Sequence, residues 1–242
     1  MNKTALVTGA GRRVGRAVSL ELARNGFDVA LHFRNSRSEV ESLAAECKTL
    51  GSDAWCVAGD LADEHDVGML GQQVGERWSS LDILVNNAST YSPEPFGEIT
   101  NEAWNRMMMV NLTAPFILAR DLLSPLRSGD GGLVVNMCDI GGDRPFPGYA
   151  HYSVSKAGLI MLVKAMAVEL GPLIRAVGIS PGHVIWPEAW DESSCETMAE
   201  QIPLSRVGTP QDVADLVRFL ALEGHYINGT VVNVDGGLSA RY

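Results

Sequence analysis

The chain has 242 residues, 46% of them hydrophobic, and a formal net charge of −10. That length and apolar content suit one α/β domain with a large buried core. The acidic balance excludes a general attraction to nucleic acid or to an anionic membrane surface, so a phosphate-bearing ligand must be held by local donors. Four cysteines, Cys47, Cys56, Cys138 and Cys195, have neither metal-ligand pairing nor the density of a disulfide framework, which points to reduced thiols in a cytoplasmic setting. The apolar start Ala5-Leu6-Val7 is too short for a signal segment, and Lys164 interrupts the most apolar stretch. A soluble, unprocessed protein with no membrane partner is expected.

Short β-rich runs at residues 4–7, 28–33, 54–57, 83–85, 133–137, 175–179 and 230–234 alternate with stretches of helical length. This alternation predicts an α/β fold, a doubly wound (Rossmann-type) parallel sheet of about seven strands with helices on both faces. Ligands are then expected at the carboxyl ends of the strands. No repeat or linker divides the chain, so residues 1–242 read as one dinucleotide-binding and catalytic domain.

The first strand leads into Thr8-Gly9-Ala10-Gly11-Arg12-Arg13-Val14-Gly15, which opens a helix. Glycines there let a pyrophosphate approach the backbone and the helix N–H groups, which makes Gly9 and Gly15 cofactor candidates. The second strand ends in His32-Phe33-Arg34-Asn35-Ser36, without a carboxylate to accept from an adenosine ribose. Arg34 and Ser36 instead offer donors for a 2′-phosphate, favouring NADPH over NADH; the other reading of Arg34 is a strand end in solvent. Asp60-Leu61, after the third strand, either bonds the adenine edge or caps the helix beginning near Asp63. The fourth strand is followed by Asn86-Asn87-Ala88-Ser89-Thr90-Tyr91, where Tyr91 is either a platform for a flat heterocycle or a tyrosine on the rim.

Tyr152 and Lys156 are four apart on a predicted helix and share one face. A neighbouring ammonium and an oxidised nicotinamide ring favour the phenolate, so Tyr152 is expected to titrate below its ordinary value and to trade a proton near neutral pH. Thirteen residues earlier the chain reads Asn136-Met137-Cys138-Asp139. An ionised carboxylate only accepts hydrogen bonds and would repel the alkoxide that forms when a carbonyl takes up hydride. Asp139 therefore points to a substrate with N–H groups and a C=N bond whose nitrogen must gain a proton. It is also a turn former before Gly141-Gly142, and both roles stay open. Two acids side by side should raise one pKa of the pair. The irregular segment 181–203, with Trp186, Trp190, Glu192, Glu196 and Glu200, reads either as a substrate lid or as a solvated surface helix. His183 is given no role. The remaining histidines and the cysteines lack metal-ligand spacing, so metal-free chemistry is expected.

Taken in order, the glycine turn, Asn86-Asn87-Ala88, Asn111, Tyr152 with Lys156, Pro181-Gly182 and Val234-Asp235-Gly236-Gly237 resemble the short-chain dehydrogenase/reductase family over essentially the full length. The resemblance implies that Gly9, Gly15 and Asn87 contact the cofactor, that Asn111 supports a proton relay, and that Tyr152 and Lys156 drive catalysis. Two residues depart from the usual pattern: Arg13 stands in place of the middle glycine of the turn, and Asp139 in place of the catalytic serine. Both departures, together with the segments around His32–Ser36, Asn87–Tyr91 and Asn136–Asp139, are similar to the pteridine reductases. That likeness implies that Arg13 touches cofactor phosphate and the pterin edge, that Ser89 lies beside cofactor and pterin, that Tyr91 stacks on the pterin, and that Asp139 and Tyr152 supply protons. The cofactor candidates thus comprise Gly9, Arg13, Val14, Gly15, His32, Arg34, Asn35, Ser36, Asp60, Leu61, Asn87, Ala88, Ser89, Tyr152, Lys156, Pro181 and Gly182. The expected activity is NADPH-dependent reduction of a pterin-like C=N bond, by a homotetramer with interfaces on the helices near 101–127 and 151–170. The rivals are a reductase of a ketone such as a 3-oxoacyl thioester, and a non-catalytic NADPH-binding sensor.

Overall fold

The computed structural model describes residues 2–129, 131–185 and 192–241. Seven strands, β1 (Lys3–Val7), β2 (Phe27–Phe33), β3 (Ala54–Ala58), β4 (Ile83–Asn86), β5 (Gly132–Met137), β6 (Ile174–Pro181) and β7 (Val231–Val234), form one sheet in the order β3-β2-β1-β4-β5-β6-β7. Every pair is parallel. The helices are α1 (Arg13–Arg24), α2 (Arg37–Thr49), α3 (Glu64–Arg77), α4 (Asn101–Met108), α5 (Ala114–Asp121), α6 (Leu123–Arg127), α7 (Ala150–Leu170), α8 (Glu192–Gln201) and α9 (Pro210–Leu222).

Successive strand residues point to opposite layers. Val7, Leu31, Val85 and Val135 pack with Val18 of α1, Val40 of α2 and Val217 of α9. Leu6, Ala30, Leu84 and Val134 face the other way, onto Leu70 of α3, Ile117 of α5 and Met166 of α7. With both faces covered, the strands need continuous apolar runs rather than alternation, which is how they read in the sequence. The strand order reverses between β1 and β4, where helices diverge to opposite faces and leave a crevice at the carboxyl ends. The register pairs Val7 with Val85 and Asn86 with Asn136, so the residues after β1, β4 and β5 share one rim.

Two local features differ from the sequence-based expectation. The 101–127 stretch is a broken helix: α4 runs into a π-helical turn (Met109–Thr113) before α5 begins. Pro115 has no N–H to give to the carbonyl four residues back, that of Asn111, so the α-helical ladder is interrupted there. The segment 181–203 starts as strand and ends as helix, because β6 extends to Pro181 and α8 occupies 192–201. Pro181 lies beyond the last β5–β6 pair, Met137 with Ile179, and pairs with Val234 of β7. Glu196 and Glu200 of α8 are exposed. Trp186 and Trp190 lie outside the described residues. Among the described residues, no helix is long and apolar enough to cross a membrane.

Candidate active site

Four hydrogen bonds hold the glycine turn against the end of β4. Thr8 Oγ1 accepts from the N–H groups of Asn87 and Ala88, at 2.9 and 3.0 Å. Asn87 returns its Nδ2 to the carbonyls of Thr8 and Gly9, at 2.8 and 3.2 Å. Gly9 takes a φ of +64°, and a side chain at Gly15 would overlap the Gly9 carbonyl oxygen. The turn delivers the chain to α1, whose N-cap Arg12 makes no side-chain cap and whose first turn holds no acid. The N–H groups at the start of a twelve-residue helix without a side-chain cap, beside the Cβ-free positions Gly9, Gly11 and Gly15, fit a pyrophosphate. Arg13 keeps the left-handed conformation of a glycine, with φ at +52°. A side chain held there costs of order 1–2 kcal/mol, and backbone strain of this kind gathers at ligand sites.

At the adenosine end the candidates divide. Ser36 caps α2 without a side-chain cap bond, and a Cβ at Gly11 would run into its Oγ. Arg34 and Asn35 are exposed on the same rim. His32 is buried behind the turn: Nδ1 accepts from Gly9 N–H at 3.1 Å and Nε2 lies 3.1 Å from the Gly59 carbonyl. Its imidazole therefore supports the turn from beneath. Burial pulls its pKa from 6.5 down to about 4. Of the two readings for Asp60, the helix cap is corrected. Asp63 caps α3, accepting from His65 and Asp66, whereas Asp60 Oδ1 accepts from Ala62 N–H at 2.9 Å and faces Arg34 and Arg106. Leu61 is buried in the core, which leaves only its backbone to face a ligand.

At the other end of the crevice, α7 is fastened to the end of β5. The buried Lys156 ammonium donates to the Met137 carbonyl at 2.7 Å, and Tyr152 O–H donates to Asp139 Oδ2 at 2.8 Å. The second oxygen of Asp139 accepts from Gly141 N–H at 2.6 Å, so the carboxylate forms the turn and faces the site together. A side chain at Gly141 would strike the Phe146 ring and approach Asp139 Oδ1. Burial, followed by the Asp139 charge and hydrogen bond, pushes the Tyr152 phenol well above its ordinary value. The direction in the protein alone is opposite to the lowering expected beside Lys156 and an oxidised nicotinamide ring; the Lys156 ammonium lies 5.7 Å from the Tyr152 ring centre and is itself pulled down by burial. Tyr152 therefore holds its proton at neutral pH.

Asn111 stands on the π-helical turn and closes the cluster. Its Oδ1 accepts from Thr90 N–H and Ser89 Oγ, at 2.8 and 3.1 Å, and its Nδ2 donates to Ser155 Oγ at 3.0 Å. Tyr91 meets Tyr152 edge-on at 4.7 Å and stacks on Tyr149 at 4.4 Å, with more than half its surface exposed. Thr8, Tyr149 and Ser155 carry no sequence-based role yet help to build the site, and His183, likewise without an assigned role, stands near it. Thr8 and Ser155 act through backbone bonds that only the fold reveals, and Tyr149, three residues before Tyr152, sits one helical turn away. His183, lowered by burial, feels the Asp139 carboxylate, which opposes that shift. Pro181 and Gly182 border β7, with Gly182 N–H donating to Val234.

A family model described as "Enoyl-(Acyl carrier protein) reductase" matches residues 9–239. A 3-oxoacyl-[acyl-carrier-protein] reductase FabG of Staphylococcus aureus is 33% identical, over 98% of this chain and 98% of the relative. This chain belongs to the short-chain dehydrogenase/reductase family. An uncharacterised oxidoreductase of Thermotoga maritima is 34% identical, over 99% of this chain and 96% of its own length. Among solved structures, acetoin dehydrogenase YohF of Salmonella typhimurium superposes with a TM-score of 0.91 at 28% identity, covering 99% of this chain and 97% of that one. As a short-chain dehydrogenase/reductase, the protein is a nicotinamide-dependent oxidoreductase.

Two predictions follow from the turn. Arg13→Gly removes the strained side chain, so the thermal midpoint should hold or rise, while NADPH affinity should fall by roughly ten-fold, about 1.4 kcal/mol. Thermal melts and cofactor titration read both; unchanged affinity would remove Arg13 from the cofactor site. The second concerns acid. With its folded pKa below its unfolded one, His32 contributes its full stability above pH 6.5 and loses it as pH falls towards 4, because the unfolded chain takes the proton first. The loss should approach about 3 kcal/mol, and denaturant titrations of His32→Gln should show a flatter pH dependence across that window.

Proposed function

We propose that this protein is an NADPH-dependent reductase of a pterin-type C=N bond, with dihydropterins or dihydrofolate-like molecules as substrates. The observation that carries the reading is the Asp139 carboxylate accepting from Tyr152 O–H at 2.8 Å. A carbonyl reductase needs donors where the alkoxide develops, and an acceptor-only carboxylate opposes that charge. A cyclic amidine has the opposite need: acceptors for its amino and ring N–H groups and one acid for the nitrogen that gains a proton. Asp139 is such an acceptor, and Tyr152, kept protonated by burial and by Asp139, is such an acid.

A nicotinamide cofactor in the crevice supplies the hydride. Tyr152 gives its O–H proton to the substrate nitrogen as the adjacent carbon is reduced, turning C=N into CH–NH. Lys156, held on the Met137 carbonyl, places positive charge beside the phenolate left behind. Asn111 fixes the strand-to-loop turn at Ser89 and Thr90 to α7 through Ser155, holding the loop that carries Tyr91. Tyr91, stacked on Tyr149, edge-on to Tyr152 and more than half exposed, is the aromatic proposed to meet the flat substrate ring. Arg34 and Ser36, on the rim of β2 and α2, are the donors proposed for the 2′-phosphate of NADPH.

The second reading, a reductase of 3-oxoacyl thioesters, is favoured by the names of the relatives. Besides the staphylococcal FabG, a 3-oxoacyl-[acyl-carrier-protein] reductase of Synechocystis is 32% identical over 98% of this chain. In that reading Asp139 would have to work protonated or stand aside. The intact set of Asn111, Tyr152 and Lys156 weighs against a non-catalytic sensor. A homotetramer is proposed on the exposed apolar residues of α5 and α7, among them Phe116, Met161 and Val168.

Asp139→Ser separates the two chemistries. Pterin reduction should lose on the order of 2–3 kcal/mol of transition-state stabilisation, while reduction of an activated ketone should hold or rise. Steady-state kcat/KM on both substrates reads the opposite signs. A serine variant that reduces dihydropterins at the unmodified rate would reduce Asp139 to a turn residue and sink the pterin reading.

A further inference from the structure

The cation proposed for the 2′-phosphate already has an anionic partner. Arg34 Nη1 lies 3.9 Å from Asp60 Oδ1, and a second guanidinium, Arg106 of α4, lies 3.7 Å from Asp60 Oδ2. Asp60 cannot turn away from this position. Its Oδ1 accepts from Ala62 N–H at 2.9 Å, and its own N–H is held by Asp66 Oδ2 at 2.9 Å. A fixed carboxylate between two arginines has two consequences for an incoming phosphate: it competes for Arg34 and it repels the phosphate directly. Both penalties shrink when a second cation shares the carboxylate. Two further arginines of this rim are engaged elsewhere, Arg12 with Glu39, and Arg37 over the Phe33 ring and near Glu41.

We infer that Arg106 is a positioning residue for cofactor choice: by neutralising Asp60 from the α4 side, it leaves Arg34 available to the 2′-phosphate of NADPH. This rests on the NADPH reading above. Arg106 touches no phosphate in this arrangement; it acts through Asp60. The three side chains are about half exposed, so the coupling is modest and fades with salt.

The test uses the whole enzyme and two adenosine probes, 2′,5′-ADP and 5′-AMP, titrated by calorimetry at low and high salt. The unmodified protein should bind 2′,5′-ADP roughly ten-fold tighter or more than 5′-AMP. Arg106→Ala should weaken 2′,5′-ADP by about three- to five-fold at low salt and much less at high salt, with 5′-AMP nearly unchanged. Arg106→Lys should restore most of the affinity, and Asp60→Asn should abolish the effect of Arg106→Ala. A loss that persists in the Asp60→Asn background would mean that Arg106 meets the phosphate itself, and equal losses for both probes would mean a structural role; either result overturns the inference. Unchanged binding in Arg106→Ala overturns it while leaving the NADPH reading intact. An unmodified protein without preference for the 2′-phosphate overturns both.

Discussion

Helix α7 is held to the end of β5 by two contacts one helical turn apart, Lys156 on the Met137 carbonyl and Tyr152 on Asp139. A buried ammonium without a partner would cost several kcal/mol, so the Met137 carbonyl fixes where Lys156 sits. With Lys156 fixed, the helix can neither slide nor rotate, and Tyr152 is carried to the carboxylate. Around that pair the remaining parts take their places. Ser155, on the next residue, meets Asn111, and Asn111 reaches across to Ser89 and Thr90 at the end of β4. Three segments far apart in sequence are thereby locked at one rim of the sheet.

The protonation of this cluster follows from burial as much as from charge. Lys156 is pulled down and Tyr152 pushed up, which keeps the phenolic proton in place in the resting site. A lysine alone beside a tyrosine would favour the phenolate; burial, and then the carboxylate on the other side, reverse the balance. The replacement of a hydroxyl by Asp139 therefore changes the resting state of the acid as well as the partner the substrate meets. It also keeps a structural duty, since Gly141 N–H depends on the same carboxylate.

Much of this was legible in the sequence because it rests on short-range rules. The seven apolar runs became seven strands, displaced by no more than two residues at either end, since a sheet covered on both faces needs such runs wherever it has a strand. The glycine turn, Tyr152 with Lys156, and Asp139 were readable from spacing and residue type. What stayed hidden depends on contacts between distant segments. His32 looks like a donor at a strand end, yet its ring is turned inward to the Gly9 N–H. The two readings of Asp60, adenine contact or helix cap, are not separable in the sequence because Asp60 and Asp63 are equally good caps in isolation; in the fold Asp63 is the cap. The direction of the Tyr152 shift depends on how deeply the phenol is buried, and on Lys156 being bonded to the Met137 carbonyl while Asp139 meets the phenol.

The central claim is that the carboxylate at 139 selects a C=N substrate within a family whose similar members include 3-oxoacyl thioester reductases. Steady-state NADPH oxidation with 7,8-dihydrobiopterin, dihydrofolate and an acetoacetyl thioester, measured side by side, tests it most directly. The account predicts a kcat/KM for at least one of the two pteridines roughly a hundred-fold or more above that for the thioester. A thioester turned over faster than both pteridines would contradict it.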